Sequence, residues 1–308
     1  MCSQGIQDRF VNPYTDFGFK LLFGTEMNKE LLIGFLNALL HGKEVIKDIT
    51  YLNTEKLGTQ EYDRRAVFDV YCVNDRGEHF IVEMQKGEQQ FFKDRSVFYS
   101  TYAIREQAPK GYWDYELKGV YLVGVLNFML DDTDKDHYVH EVKLVDLRTK
   151  KVFYDKLTFI YLEMPKFTKE LHECETLFDK WMFVLHNMAG LMERPAALQE
   201  RVFKRLFEAA SIAKFNKQDL YQYEESLKNY RDWYSVMNTA ELRGLERGMQ
   251  EGLEKGLEKG LEEGLEKGRA EGKKEALLEM ARNFKSKGMD IRTIIEYTGL
   301  SENEITDL

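Results

Sequence analysis

The spacing of hydrophobic positions shifts repeatedly along the chain, and each shift predicts an element. Asn28-Lys-Glu-Leu-Leu-Ile-Gly-Phe-Leu-Asn-Ala-Leu-Leu40 reads as a helix, with Asn28 as N-cap and Gly42 just past its end. Runs rich in β-branched and aromatic residues at about 45–53, 65–74 and 78–85 read as strands. From about 90 to 107 the period is helical again. Phe91, Arg95, Tyr99 and Ala103 share a row there, Phe98 and Tyr102 lie beside it, and Pro109 and Gly111 stop it. Gly119-Val-Tyr-Leu-Val-Gly-Val-Leu-Asn-Phe128 is a short continuous apolar run, the pattern of a buried strand. Asp131–Asp136 reads as a solvated loop without the glycine and distal glutamate of a calcium loop. Strands near 138–146 and 157–163 would extend the sheet. The order is αβββαβ, and a hairpin followed by a crossover helix and another strand implies a mixed sheet.

Beyond residue 166 the pattern becomes helical. Leu177, Trp181, Val184 and Met188 mark one apolar face; Val202, Leu206 and Ala209 mark another, after a helix start at Pro195. Tyr221, Tyr223, Tyr230, Trp233 and Tyr234 suggest a third helix, whose spacing fits packing better than base stacking. From Gly244 to Gly272 glycine returns at every fourth position, mostly as Gly-Leu-Glu-Lys. Each glycine costs a helix about 1 kcal/mol relative to alanine. Like charges such as Glu254 and Glu258, or Lys255 and Lys259, fall four apart. An isolated helix would be marginal, so a partly helical tether or weak self-association is expected rather than a stable coiled coil. A hydrophobic period above 3.6 would in any case supercoil right-handedly.

Residues 275–308 predict three helices. Gly288 closes the first, Asp290 caps Ile291–Tyr297, and Ser301–Glu304 is a capping box for the last. The shape suggests a helix-turn-helix, but Glu302, Glu304 and Asp307 on its last helix favour protein contact over DNA phosphates. The expected division is therefore 1–166, an α/β domain; 167–240, a helical accessory region; 241–272, the repeat tether; and 273–308, the C-terminal helical segment.

Composition narrows the picture. A net charge of −9 argues against a broad nucleic-acid-binding surface, so contact with such a ligand would be local and salt-sensitive. Cys2, Cys72 and Cys174 form no CxxC pattern, which points to a reducing cytoplasm. His137-x-x-His140 and His172-x-Cys174 lack further ligands at zinc spacing. The start carries no signal-peptide architecture, and the apolar run at 119–130 is too short to span a bilayer, so no membrane partner is expected.

The candidate chemistry lies in the hairpin. Asp75-Arg76-Gly77 as a loop, with Gly77 supplying the one positive φ, would pair Asn74 with Glu78 and set Asp69 directly across from Glu83. Their side chains would then lie roughly 4.5–5.5 Å apart on one face. A two-residue Arg76-Gly77 turn would instead send Glu83 to the other face. Two carboxylates on a buried sheet repel unless a cation lies between them, and a hard ion such as Mg²⁺ would remove that penalty. Gln85 shares the face of Glu83, while Lys86 would alternate to the opposite one.

Asp69 followed by Glu83-x-Gln85 resembles the PD-(D/E)xK nuclease active site in its Glu-x-Gln form. With Asp16-Phe-Gly-Phe-Lys20-Leu-Leu-Phe-Gly24, Arg95-Ser-Val-Phe-Tyr99, Gly111-Tyr112 and the strand near Val120–Phe128, roughly residues 10–165 are similar to PD-(D/E)xK nuclease-family transposases, or recombination-promoting (Rpn-like) nucleases. The resemblance implies a restriction-endonuclease-like αβββαβ core in an α/β fold with a C-terminal helical region. It also implies a Mg²⁺-dependent DNA endonuclease, with Mn²⁺ as a substitute, linked to recombination or mobile elements. Asp69, Glu83 and the main-chain carbonyl of Met84 would hold the metal, which activates water for in-line attack on phosphorus. Gln85 would orient that water or a phosphate oxygen. Lys20, four residues from Asp16 on one helix face, is the candidate for the positive charge that Gln85 lacks. Asp16, Arg95 and Tyr99 are candidate substrate-binding residues. The competing expectation is a non-catalytic scaffold, a decayed nuclease core whose helical tail assembles homo-oligomers.

Overall fold

In the computed structural model, which describes residues 8–40, 45–56, 66–130, 134 and 136–308, the chain enters its core through α1 (Asp16–Phe23). Thr15 caps α1, its hydroxyl accepting from Gly18 N. Helix α2 (Lys29–Leu39) follows a single 3₁₀ turn. Asn28 stands at the predicted N-cap position but does not cap with its side chain. It donates instead to Leu21 O at 2.8 Å, tying α2 back to α1. Gly42 lies outside the described residues.

The strands are β1 (Ile49–Tyr51), β2 (Glu55–Lys56), β3 (Ala66–Val67), β4 (Val70–Asn74), β5 (His79–Gln85), β6 (Val120–Leu126), β7 (Val139–Val145) and β8 (Val152–Glu163). Helix α3 (Phe92–Arg105) crosses from β5 to β6. Six strands form one sheet in the order β1-β4-β5-β6-β8-β7, while β2 and β3 make a small ladder of their own. β5, β6 and β8 run parallel and the remaining pairs antiparallel, so the sheet is mixed. The predicted strand at 65–74 is broken at Phe68–Asp69, where the chain bends between β3 and β4. Most of the predicted Asp131–Asp136 loop lies outside the described residues.

Period-two alternation sends β5 side chains to two different cores. Phe80, Val82 and Met84 join the larger one, built with α1, α2 and the helices after the sheet. Ile81 joins the smaller one beneath α3, with Leu122, Leu126 and Tyr161. On α3 the buried row begins at Phe92, not Phe91, which is exposed.

After β8 come α4 (Leu177–Asn187), α5 (Arg201–Ala209) and α6 (Lys217–Ser286). Trp181, Val184 and Met188 are buried as the pattern predicts, whereas Leu177 is exposed. Pro195 does not start α5; it lies in the turn before it, and the helix begins at Arg201. Helices α4 and α5 share the large core with the sheet, so residue 166 is not a boundary. The first compact unit runs to Trp233. It is secured to the start of α6 by polar contacts as well: Asn12 N donates to the Tyr223 hydroxyl at 3.0 Å, and Phe17 N to Ser226 Oγ at 3.1 Å.

The second unit, Tyr234–Leu308, holds the rest of α6, then α7 (Ile291–Thr298) and α8 (Glu302–Thr306). The glycine repeat is helical throughout, against the expectation of a marginal helix. Opposite charges three apart, such as Lys255 and Glu258, offset the like charges four apart, and leucine, glutamate and lysine are strong helix formers. The predicted helix from Glu275 is the end of α6 rather than a separate element. Asp290 caps α7, Gly299 closes it at φ +68°, and Ser301 with Glu304 forms the capping box of α8. Ala281, Ile294, Leu300 and Ile305 make a small core of their own.

Gly18 is fixed by packing. A Cβ there would lie 2.3 Å from Asn12 O and 2.7 Å from Thr15 Oγ1. Gly18→Ala should therefore destabilise the fold by about 1–3 kcal/mol, read from the midpoint of urea denaturation.

Candidate active site

The hairpin register fixes the site. β4 and β5 pair Val73 with His79 through Val70 with Val82, and the next step brings Asp69 to Glu83. Asn74 N donates to Glu78 O at 2.9 Å, and Gly77 takes φ +81°, as the three-residue loop requires. Each acid accepts a main-chain N–H from the opposite side of the hairpin. Asp69 N donates to Glu83 Oε1 at 3.2 Å, and Met84 N to Asp69 Oδ2 at 2.8 Å. Gln85 Nε2 donates to Glu83 Oε2 at 3.1 Å, and both side chains are nearly closed off, at 5% and 6% exposure. Gly124, which has no side chain of its own, stands beside Glu83 in the parallel β5–β6 ladder.

Asp69, Glu83 and Gln85 line a cavity of about 360 Å³, whose walls also carry Lys86, Arg95, Tyr99 and Trp233. Asp16 and Lys86 belong both to this cavity and to a neighbouring one of about 520 Å³ that holds Lys20 and one face of early α6. Lys20 pairs with Asp16 at 2.9 Å. The Arg95 guanidinium donates to Gln89 and lies 5.5 Å from the Tyr99 ring centre.

Lys86 corrects the sequence reading. Strand β5 ends at Gln85 and the chain bends at 86–87, so alternation no longer applies and Lys86 lines the carboxylate cavity. Trp233, whose helical spacing favours packing over base stacking, also borders the cavity. A Cβ on Gly87 would come within 2.2 Å of its ring, so only glycine permits that approach. A glycine directly after the Glu-x-Gln-Lys run was the one available signal.

Electrostatics follow from burial. Desolvation, then the charge of Asp69, raises the Glu83 pKa to about 8, opposed by the Asp69 N–H and the charges of Arg95 and Lys20. Burial also raises Asp69, against the Met84 N–H; Asp16 adds to the rise while Lys20 and Lys86 oppose it. Lys20 is opposed by its own burial, but the hydrogen bond and charge of Asp16, with smaller contributions from Asp69 and Glu83, leave it raised. Burial, then the Glu83 charge, raises Tyr99.

The donors fit a hard divalent cation. Among the described residues no three His, Cys, Asp or Glu side chains converge. A buried carboxylate, a half-buried one and an amide, each oxygen retaining a lone pair beyond its present hydrogen bond, suit an ion that keeps several waters. The His137 and His140 rings meet edge-on at 4.9 Å, and His140 pairs with Glu163.

The mixed six-stranded sheet and its crossover helix are consistent with a PD-(D/E)xK α/β core. The family model described as PD-(D/E)XK nuclease family transposase matches residues 13–240, and the C-terminal HTH domain of the Rpn/YhgA-like nuclease family matches 274–308. The chain belongs to this family. No curated protein and no solved structure matches it. Among the described residues no helix is long and apolar enough to cross a membrane.

A pH dependence follows. Glu83 goes from an ordinary value of 4.5 to about 8 on folding, so the native state holds a proton that the unfolded chain releases. Stability without metal should be greatest below about pH 4.5 as far as this group is concerned, and should fall as pH rises towards 8. Glu83→Gln should flatten that decline in thermal melts recorded across the range in chelator.

Proposed function

We propose that the chain is a Mg²⁺-dependent endonuclease acting on DNA, with Mn²⁺ able to substitute. The observation that supports this best is the pair of acids, half-buried Asp69 and buried Glu83, lining one cavity with Gln85, Lys86 and Arg95. Asp69 and Glu83 would hold the ion, with the Met84 carbonyl as the further donor that the family pattern implies. The chemistry such an ion supplies when bound is activation of water and neutralisation of charge on the phosphate.

The side chains supply the rest. The Gln85 amide orients a water or a phosphate oxygen but carries no charge. Lys86 and Lys20 provide positive charge near the acids, and Asp16 holds Lys20 in place. Arg95 is positioned for a phosphate oxygen, and Tyr99 supports it from beneath. DNA, rather than RNA, and a link to recombination or mobile elements rest on the transposase family and its HTH domain. Within that domain α8 is acidic, so a DNA contact would fall to basic positions such as Arg282, Lys287 and Arg292. A cytoplasmic setting is consistent with the free, buried thiols of Cys72 and Cys174.

The test is nicking of supercoiled plasmid in Mg²⁺. Asp69→Asn and Glu83→Gln, both close in shape to the native residues, should each reduce cleavage by roughly a hundredfold or more. Lys86→Ala should reduce it by roughly tenfold. Cleavage unaffected by the two acid replacements would place the chemistry elsewhere. Absence of both cleavage and metal binding in the wild-type chain would favour a scaffold built on the nuclease fold.

A further inference from the structure

The two edges of the sheet differ. On one side β1 is only three residues long, a common way to blunt an edge. On the other, β7 runs for seven residues and ends in a hairpin that leaves Val142, Leu144, Val145, Val152 and Phe153 exposed. Such an apolar edge, unpaired among the described residues, is a template for another strand. Its pairing with β8 is irregular twice, yet the additional residues are all in β8. The partner jumps from Thr158 to Tyr154 and then to Val152 while β7 advances one residue each time. The outer rim of β7 is therefore continuous.

Its charge pattern selects the occupant. In an antiparallel ladder outward-facing amides belong to alternate residues, so a strand that pairs with its own copy must do so about a residue. Centred on Glu141 or on Lys143, such a pairing sets like charges face to face. Centred on Val142, it sets Glu141 of each copy opposite Lys143 of the other, and Val139 opposite Val145. Glu141 and Lys143 lie on one face and already meet within a copy at 2.8 Å. The symmetric arrangement thus alternates four charges in a row.

We propose that β7 pairs antiparallel with β7 of a second copy about a two-fold axis at Val142, making a dimer through a continuous sheet. This surface lies in the nuclease fold, not in the C-terminal helices to which the sequence assigned self-association.

Sedimentation equilibrium of the full chain tests it. The wild-type chain should be dimeric, and Lys143→Glu should raise the dissociation constant roughly tenfold or more, since two attractive cross-strand pairs become repulsive. The double exchange Glu141→Lys with Lys143→Glu should restore the dimer, which separates lost pairing from lost folding. Val142→Cys should cross-link two chains on oxidation, because the residue faces its own copy. The wild-type chain, which carries Cys2 besides the buried Cys72 and Cys174, serves as the control, and Cys2→Ser in both chains removes its contribution. A monomeric wild-type chain, a dimer indifferent to Lys143→Glu, or a double exchange that restores nothing would each overturn the proposal.

Discussion

The site depends on how two carboxylates are held in a place that disfavours their charge. Asp69 and Glu83 lie across a hairpin from each other, and burial pushes both towards the neutral form. They are retained because each accepts an N–H from the opposing chain. The same bonds that satisfy the acids also lock the register, so a slip of one residue would cost both contacts and turn the glutamate to the other face. A site built this way is rigid before any ligand arrives. Its electrostatic imbalance is what a divalent cation would correct.

That constraint was legible in the sequence because the turn leaves few options. Asn74-Asp-Arg-Gly77 provides one comfortable positive-φ residue, and the three-residue loop it favours determines every later pair. The bend at Phe68–Asp69 was not legible. A run of strand-forming residues conceals it, and it exists because Asp69 reaches across to Met84 N rather than continuing the ladder. Lys86 was misjudged for a related reason: alternation was extended one residue past the end of its strand. Trp233 comes from a helix remote in sequence, and its packing pattern gave no sign of the cavity.

Further along the chain, local patterns conveyed type better than partnership. The helices after β8 were visible from their spacing, but not their burial against the same core as α1 and α2, which erases the division at residue 166. In the repeat, both the glycine content and the like charges four apart count against a helix. Pairs three apart have the opposite sign, so a helix there is less penalised than glycine content suggests.

Gln85 raises the question of where positive charge enters a site whose motif commonly ends in lysine. An amide in that position hydrogen-bonds Glu83 directly, something lysine could do only by neutralising the acid that is to meet the cation. The two lysines are instead displaced outward, Lys86 just past the strand end and Lys20 on α1. From there they ease the Asp69 charge without forming an ion pair with it. Such an arrangement places the fixed cations along the cavity walls rather than on the carboxylates. The cost is weaker screening of the acids, in line with burial and the Asp69 charge raising Glu83 above its ordinary value.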